Sequence, residues 1–253
     1  MRFFDTHLHL RSADRAGLDE LLGKLESYPE CLGGLLVLNT RQEVDVVHRH
    51  IDLIPSRVVL VPYFSAEHGL PAEITASGWY KIHPSLHKLG IDALPELDAR
   101  LAEANPRGVM VHCFPWGTQL QYNVSLPFVI HLSQALPQST ILATHGGGYE
   151  SWQFRAHAGG LRNVHFDFSM TLDYYEGADA VKPLQRYLIH SPTRIHFGSD
   201  WPSGNIERQL NEQLRLAREV GLDQERLEDL LLSNARTQWP DAFAPSISSG
   251  RSY

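Results

Sequence analysis

The chain has 253 residues, 43% of them apolar and 20% charged, so it can bury a sizeable core and is not globally disordered. Its 22 basic and 29 acidic residues leave a formal charge of −7, and no Lys/Arg cluster stands out, which argues against nucleic acid as a main partner. No apolar run approaches membrane-spanning length and the N-terminus enters a strand at once, so a soluble cytoplasmic protein is expected, with Cys31 and Cys113 as buried reduced thiols.

Strand-like and helix-like patterns alternate from end to end. A first strand over Arg2–His9 leads to a helix over Asp14–Ser27, with Leu18, Leu21, Leu22 and Leu25 at helical spacing. The apolar run Leu32–Asn39 is a second strand, Gln42–Ile54 a helix stopped by Pro55, and Val58–Phe64 a third strand. Ser65–Gly78 is short for a crossover helix. Trp79–His83 is a fourth strand, ended by Pro84. Then follow a helix over Leu94–Ala104, a strand over Gly108–Cys113, a long loop, a helix over Ser125–Leu136, and a strand over Thr140–His145 that runs into Gly146-Gly147-Gly148. A helical piece near Tyr149–His157, a strand over Val164–Ser169, a helix over Ala178–Ile189, a strand over Arg194–Asp200 and helices over Ile206–Val220 and Gln224–Asn234 complete the pattern. Asp241–Tyr253, rich in Ser, reads as a loose tail behind one domain over 1–240.

Eight strands alternating with helices predict a parallel sheet, and runs such as Leu35–Leu38 and Val58–Val61 suit strands buried on both faces. Eight units in this length fit a closed (β/α)8 TIM barrel better than an open sheet, which would carry a Gly-rich phosphate turn where His7 and His9 stand. A TIM barrel does its chemistry at the carboxyl ends of its strands. His7 and His9 share one face of strand one, and two imidazoles so placed can hold a divalent ion. Further strand ends offer Lys81 and His83, His112, His145, Asp167 and Ser169, and Asp200. Aromatic and basic residues in the following loops, among them Trp116, Arg155 and Trp201, suit a small, partly apolar substrate. The other histidines are read as structural.

These segments have a familiar form. Phe4-Asp5-Thr6-His7-Leu8-His9, Gly78-Trp79-Tyr80-Lys81-Ile82-His83-Pro84, Thr144-His145-Gly146-Gly147-Gly148, Phe197-Gly198-Ser199-Asp200-Trp201-Pro202 and Asn234-Ala235-Arg236 resemble the amidohydrolase superfamily. They are most similar to the branch that includes aminocarboxymuconate-semialdehyde decarboxylase and many metal-dependent hydrolases. The resemblance implies one divalent metal, zinc first among candidates, on His7, His9, His112 and Asp200. It implies that His145 acts on the substrate or helps hold a second metal. Lys81 stands where two-metal members carry a carboxylated bridge, and is otherwise a substrate contact or a buried structural lysine. A homodimer is a family-level expectation.

On that footing Asp200 is the catalytic base toward an activated water and His145 polarises the substrate carbonyl. His83, Trp116, Arg155, Ser169 and Trp201 are the candidate substrate contacts. The expected function is hydrolysis of an amide, lactone or ester of a small molecule. A metal-dependent non-oxidative decarboxylase is the alternative, and a non-catalytic binding barrel the reading from another class.

Overall fold

Eight parallel strands follow one another through the computed structural model, which describes residues 1–64, 70–115, 118 and 120–244. They are β1 (Phe3–Leu8), β2 (Cys31–Leu38), β3 (Val58–Pro62), β4 (Trp79–Ile82), β5 (Gly108–Val111), β6 (Thr140–Ala143), β7 (Val164–Asp167) and β8 (Ile195–His196). β1–β2–β3 form one ladder and β4 to β8, in order, a second. Backbone hydrogen bonds cross both seams. Phe64 N–H donates to Lys81 O at 2.8 Å between β3 and β4. Between β8 and β1, Thr6 N–H donates to Phe197 O (2.9 Å), Asp200 N–H to His7 O (2.8 Å) and His9 N–H to Trp201 O (2.8 Å). The architecture is the (β/α)8 barrel that the alternation predicts.

The helices run between the strands and cover the outside. Helix Arg15–Glu26 starts at Asp14, whose side chain accepts from Gly17 N–H. Helix Arg41–Arg49 starts with a reciprocal capping box between Thr40 and Glu43. It ends earlier than the pattern predicts, and a short 3-10 turn, Ile51–Leu53, completes the path to Pro55. Several strands are also shorter than their apolar runs. β8 keeps only two residues because the chain beyond it passes through Gly198 to Asp200 at φ +57°, although Phe197 still accepts from β1.

Two apolar layers result. Outside the barrel, Phe3, Leu8, Val109, Ile141, Phe166 and Phe197 pack against the helices. Inside it, Phe4, Leu35, Val37, Val61, Trp79, Met110 and Leu142 fill the bore. Trp239 closes the end where the strands begin, with its ring 5.7 Å from Phe4, 5.1 Å from Trp79 and 5.0 Å from His196. Residues 241–244, the head of the segment expected to be a loose tail, are ordered there. Pro240–Phe243 is a 3-10 turn, Phe243 lies 5.1 Å from Phe4, and Asp241 pairs with Arg107 at 2.6 Å. The carboxyl ends of the strands, where His7, His145 and Asp200 stand, form the opposite end, the mouth of the barrel. Among the described residues, no helix is long and apolar enough to cross a membrane.

Candidate metal centre at the barrel mouth

His7 reaches the mouth because β1 breaks its own alternation. Phe4 lies in the inner layer, so strict alternation from it would turn Leu8 inward and His7 outward, yet Leu8 lies in the outer layer. The pairing of β1 with β2 shifts register on either side of Asp5, and this bulge turns His7 inward. Asp5 secures the irregularity: its Oδ1 accepts from His7 N–H at 3.0 Å and Ser199 N–H at 2.9 Å, tying β1 to the chain after β8. Burial raises the Asp5 carboxyl to about 7. His145 and Asp200 are turned in by backbone as well, at φ +62° and +57°. The glycines after His145 make room: a Cβ on Gly147 would meet the Phe154 ring at 2.4 Å.

Three ligand-type atoms converge. Asp200 Oδ1 is 3.5 Å from His7 Nε2 and 3.2 Å from His9 Nε2. Ligands about 2.0–2.1 Å from one zinc ion sit roughly 3.3–3.4 Å from one another in a tetrahedron, so this spacing fits a shared ion. Lys81 Nζ, fully buried, is 3.4 Å from His7 Nε2. Burial lowers Lys81 to about 8, against the pull of Asp167 and Asp200, and burial together with Lys81 lowers His7 to about 4. Burial alone would raise Asp200, but His7, His9 and His145 outweigh it and hold the carboxylate below its ordinary range.

His112 and His145 form a second pair, and their partners fix their protons. His145 Nδ1–H donates to the Ser169 carbonyl at 2.9 Å, which leaves a lone pair on Nε2. His112 Nε2–H donates to the Phe114 carbonyl at 3.2 Å, which leaves a lone pair on Nδ1. Those two nitrogens face each other at 3.2 Å. Burial lowers both imidazoles below the ordinary histidine range, which favours their neutral forms. Two lone pairs at that distance call for a cation between them, and this donor set fits a metal.

The expected site residues thus fall into groups. His7, His9 and Asp200 meet directly. His112 and His145 meet each other, one ring further across the mouth, so His112 does not join the first three as the resemblance implies. His83 stacks on His112 at 3.8 Å, and its Nδ1 accepts from Leu86 N–H at 3.2 Å, so it caps the turn Pro84–His87. Ser169 lies at the histidines, its hydroxyl 3.0 Å from both His7 Nδ1 and His145 Nδ1. Arg155 is not brought to the mouth: its guanidinium sits 5.8 Å over the Tyr187 ring, in the helix layer. Trp201 is buried in the outer core with Arg11 5.7 Å over its ring. Its neighbour Asp200 took the inward position. Trp116 lies outside the described residues.

Two contributors, Asn39 and His87, were not among the residues singled out from the sequence. Asn39 Nδ2 is 3.3 Å from His9 Nδ1. Its Oδ1 is buried without a partner, and an amide turned over would accept from Nδ1–H and bare His9 Nε2. His87 Nε2–H donates to Asn39 O at 3.0 Å. Asp167 is fully buried between His7 and His145. The position of Asn39 at the end of β2 was the available signal; His87, in a loop, gave none.

A family model described as amidohydrolase matches residues 64–240. Among solved structures, the chain is similar to an uncharacterised TIM-barrel protein from Bordetella bronchiseptica, with a TM-score of 0.68 and 14% identity over 96% of this chain and 100% of that one. It is similar to an amidohydrolase from Burkholderia multivorans with bound zinc, with a TM-score of 0.65 and 16% identity over 95% and 99% of the two chains. Dihydroorotase from Campylobacter jejuni gives a TM-score of 0.64 and 13% identity over 94% and 83%. At such identities the likeness speaks to the fold. The comparison with curated proteins found no match.

Proposed function

The chain belongs to the amidohydrolase family, and from that premise we propose that it is a divalent-metal-dependent hydrolase of an amide, lactone or ester bond in a small substrate. The observation that carries the reading is the convergence of His7, His9 and Asp200 at the carboxyl ends of the strands, with His7 Nε2 and His9 Nε2 both within 3.5 Å of Asp200 Oδ1 and one ligand atom of each residue within 4.8 Å of the others. These three would hold the ion, and the facing lone pairs of His112 and His145 make a second donor pair beyond Lys81. Nitrogen-rich donors favour zinc, the metal bound in the Burkholderia multivorans protein. When bound, such an ion supplies Lewis acidity and lowers the pKa of water toward neutrality.

The chain's own groups do the rest. Asp200, ionised and with its side chain 10% exposed, takes the proton of the attacking water and returns it to the leaving atom. His145 holds its proton on Nδ1, so its Nε2 serves as a ligand; a hydrogen bond to a developing oxyanion would need a proton on that nitrogen. Lys81, which burial lowers to about 8, would bridge two ions if its amine were carboxylated; intact-mass measurement reads that adduct directly. His83, stacked on His112, is the polar contact offered to substrate. Two reduced cysteines, Cys31 and Cys113, suit a cytosolic setting.

The test is turnover by the zinc- or manganese-loaded protein against panels of lactones, amides, esters and aromatic carboxylates, with carbon dioxide followed in parallel. Hydrolysis that Asp200→Asn abolishes supports the proposal. Carbon dioxide release without hydrolysis replaces it with the decarboxylase reading.

A further inference from the structure

One hydroxyl stands between the two groups of histidines. Ser169 Oγ is 3.0 Å from His7 Nδ1 and 3.0 Å from His145 Nδ1. Its own proton is committed, because Ser169 Oγ–H donates to Asp167 Oδ1. A hydroxyl that has spent its proton can only accept, and it has two lone pairs to do so. Both imidazoles must therefore bring a proton on Nδ1. For His145 the Ser169 carbonyl at 2.9 Å demands the same proton. For His7 the Asp167 Oδ2 at 3.5 Å, a buried carboxylate oxygen with no hydrogen bond of its own, pulls the same way.

Asp167 is held to this task from the backbone. Its Oδ1 also accepts from His145 N–H at 3.1 Å and Ser169 N–H at 2.9 Å. The carboxylate, the serine and both imidazoles are buried, so water does not offer a competing partner. We propose that Asp167 and Ser169 are positioning residues that set the tautomer of His7 and His145 together, so that one hydroxyl presents the Nε2 lone pairs of both donor groups at once. The proposal rests on the metal-dependent reading above, and it moves Ser169 from the substrate contacts to the scaffold behind the ligands.

Two readouts test it on the full-length chain. Metal-free protein labelled with 15N at histidine, with His7 and His145 assigned through single-histidine variants, is examined by long-range 1H–15N correlation at pH 7.5. Both rings are expected as the Nδ1–H tautomer, and an Nε2–H tautomer on either overturns the proposal. Cobalt(II) titration, read by its visible absorption, is then compared for wild type, Ser169→Ala and Ser169→Thr. Removing the hydroxyl is expected to weaken cobalt binding about 10–100-fold, with threonine recovering most of it. A folded Ser169→Ala protein with wild-type affinity and spectrum overturns the proposal. If the alanine variant does not fold, the wild-type tautomer spectrum decides. Wild type that takes up no cobalt defeats the metal reading, while the tautomer claim is still judged by its own spectrum.

Discussion

Asp200 meets two demands with one side chain: its Oδ1 faces two imidazoles, and its carboxylate stays ionised against burial. The backbone there is left-handed, which Asn tolerates about as well as Asp, so Asp200→Asn keeps the path while removing the base. Turnover is expected to fall by about 10²–10⁴-fold, with folding measured by circular dichroism unchanged. Wild-type rates in a folded Asp200→Asn protein would rule out Asp200 as the base. The histidines divide by the same residue-scale logic. A carbonyl opposite one ring nitrogen decides what the other can do, and that assignment leaves a lone pair on His145 Nε2, which supports the ligand reading proposed above where strand-end position alone left ligand and electrophile open.

At the scale of single elements, β1 is the part that repays attention. Asp5 stabilises its bulge by accepting two buried backbone N–H groups. Asp5→Ala leaves both unpaired and is expected to cost roughly 2–5 kcal/mol in urea unfolding. Asp5→Asn keeps the accepting oxygen, and because burial already raises this carboxyl to about 7, a neutral amide should cost within about 1 kcal/mol. Equal losses in the two variants would show that the clamp does not hold the bulge. The sequence made His7, His9, Lys81, His145 and Asp200 visible as strand-end residues, and apolar runs placed every strand. It could not reveal the bulge, because a register shift depends on the partner strand and leaves no mark in β1 itself. It could not reveal that His145 turns inward through a left-handed backbone, or that His112 answers to His145, since both follow from where Ser169 and Phe114 put their carbonyls. Arg155 and Trp201 looked like rim residues because loop position says nothing about whether a side chain faces the mouth or the helix layer.

The barrel as a whole separates a plugged end from a working end. Near the plug, His165 Nδ1 and His196 Nε2 lie 2.9 Å apart, with Arg194 fixed beside them by the carbonyls of Gly159, Leu161 and Val164. Burial, with Arg194 adding to it, lowers His165 to about 4, and burial holds His196 well below the ordinary histidine range. A histidine whose folded pKa lies below its unfolded value near 6.5 gives its full stabilisation above that value and loses it as pH falls toward 4. For His165 the loss is on the order of 3 kcal/mol. The melting temperature of the metal-free protein should therefore drop between pH 6.5 and 4, and drop less in His165→Asn. Parallel pH profiles in the two proteins would remove this pair from the acid response.

The working end is tested most directly by counting ions. Protein purified under metal-free conditions, loaded with zinc and freed of excess by gel filtration, is analysed by mass spectrometry for bound metal, alongside a His9→Ala/Asp200→Ala variant checked for folding. At least one zinc per chain is expected in the wild type and at least one fewer in the variant. A wild-type chain that keeps no zinc, or a folded variant that keeps as much, would contradict a metal centre built on His7, His9 and Asp200.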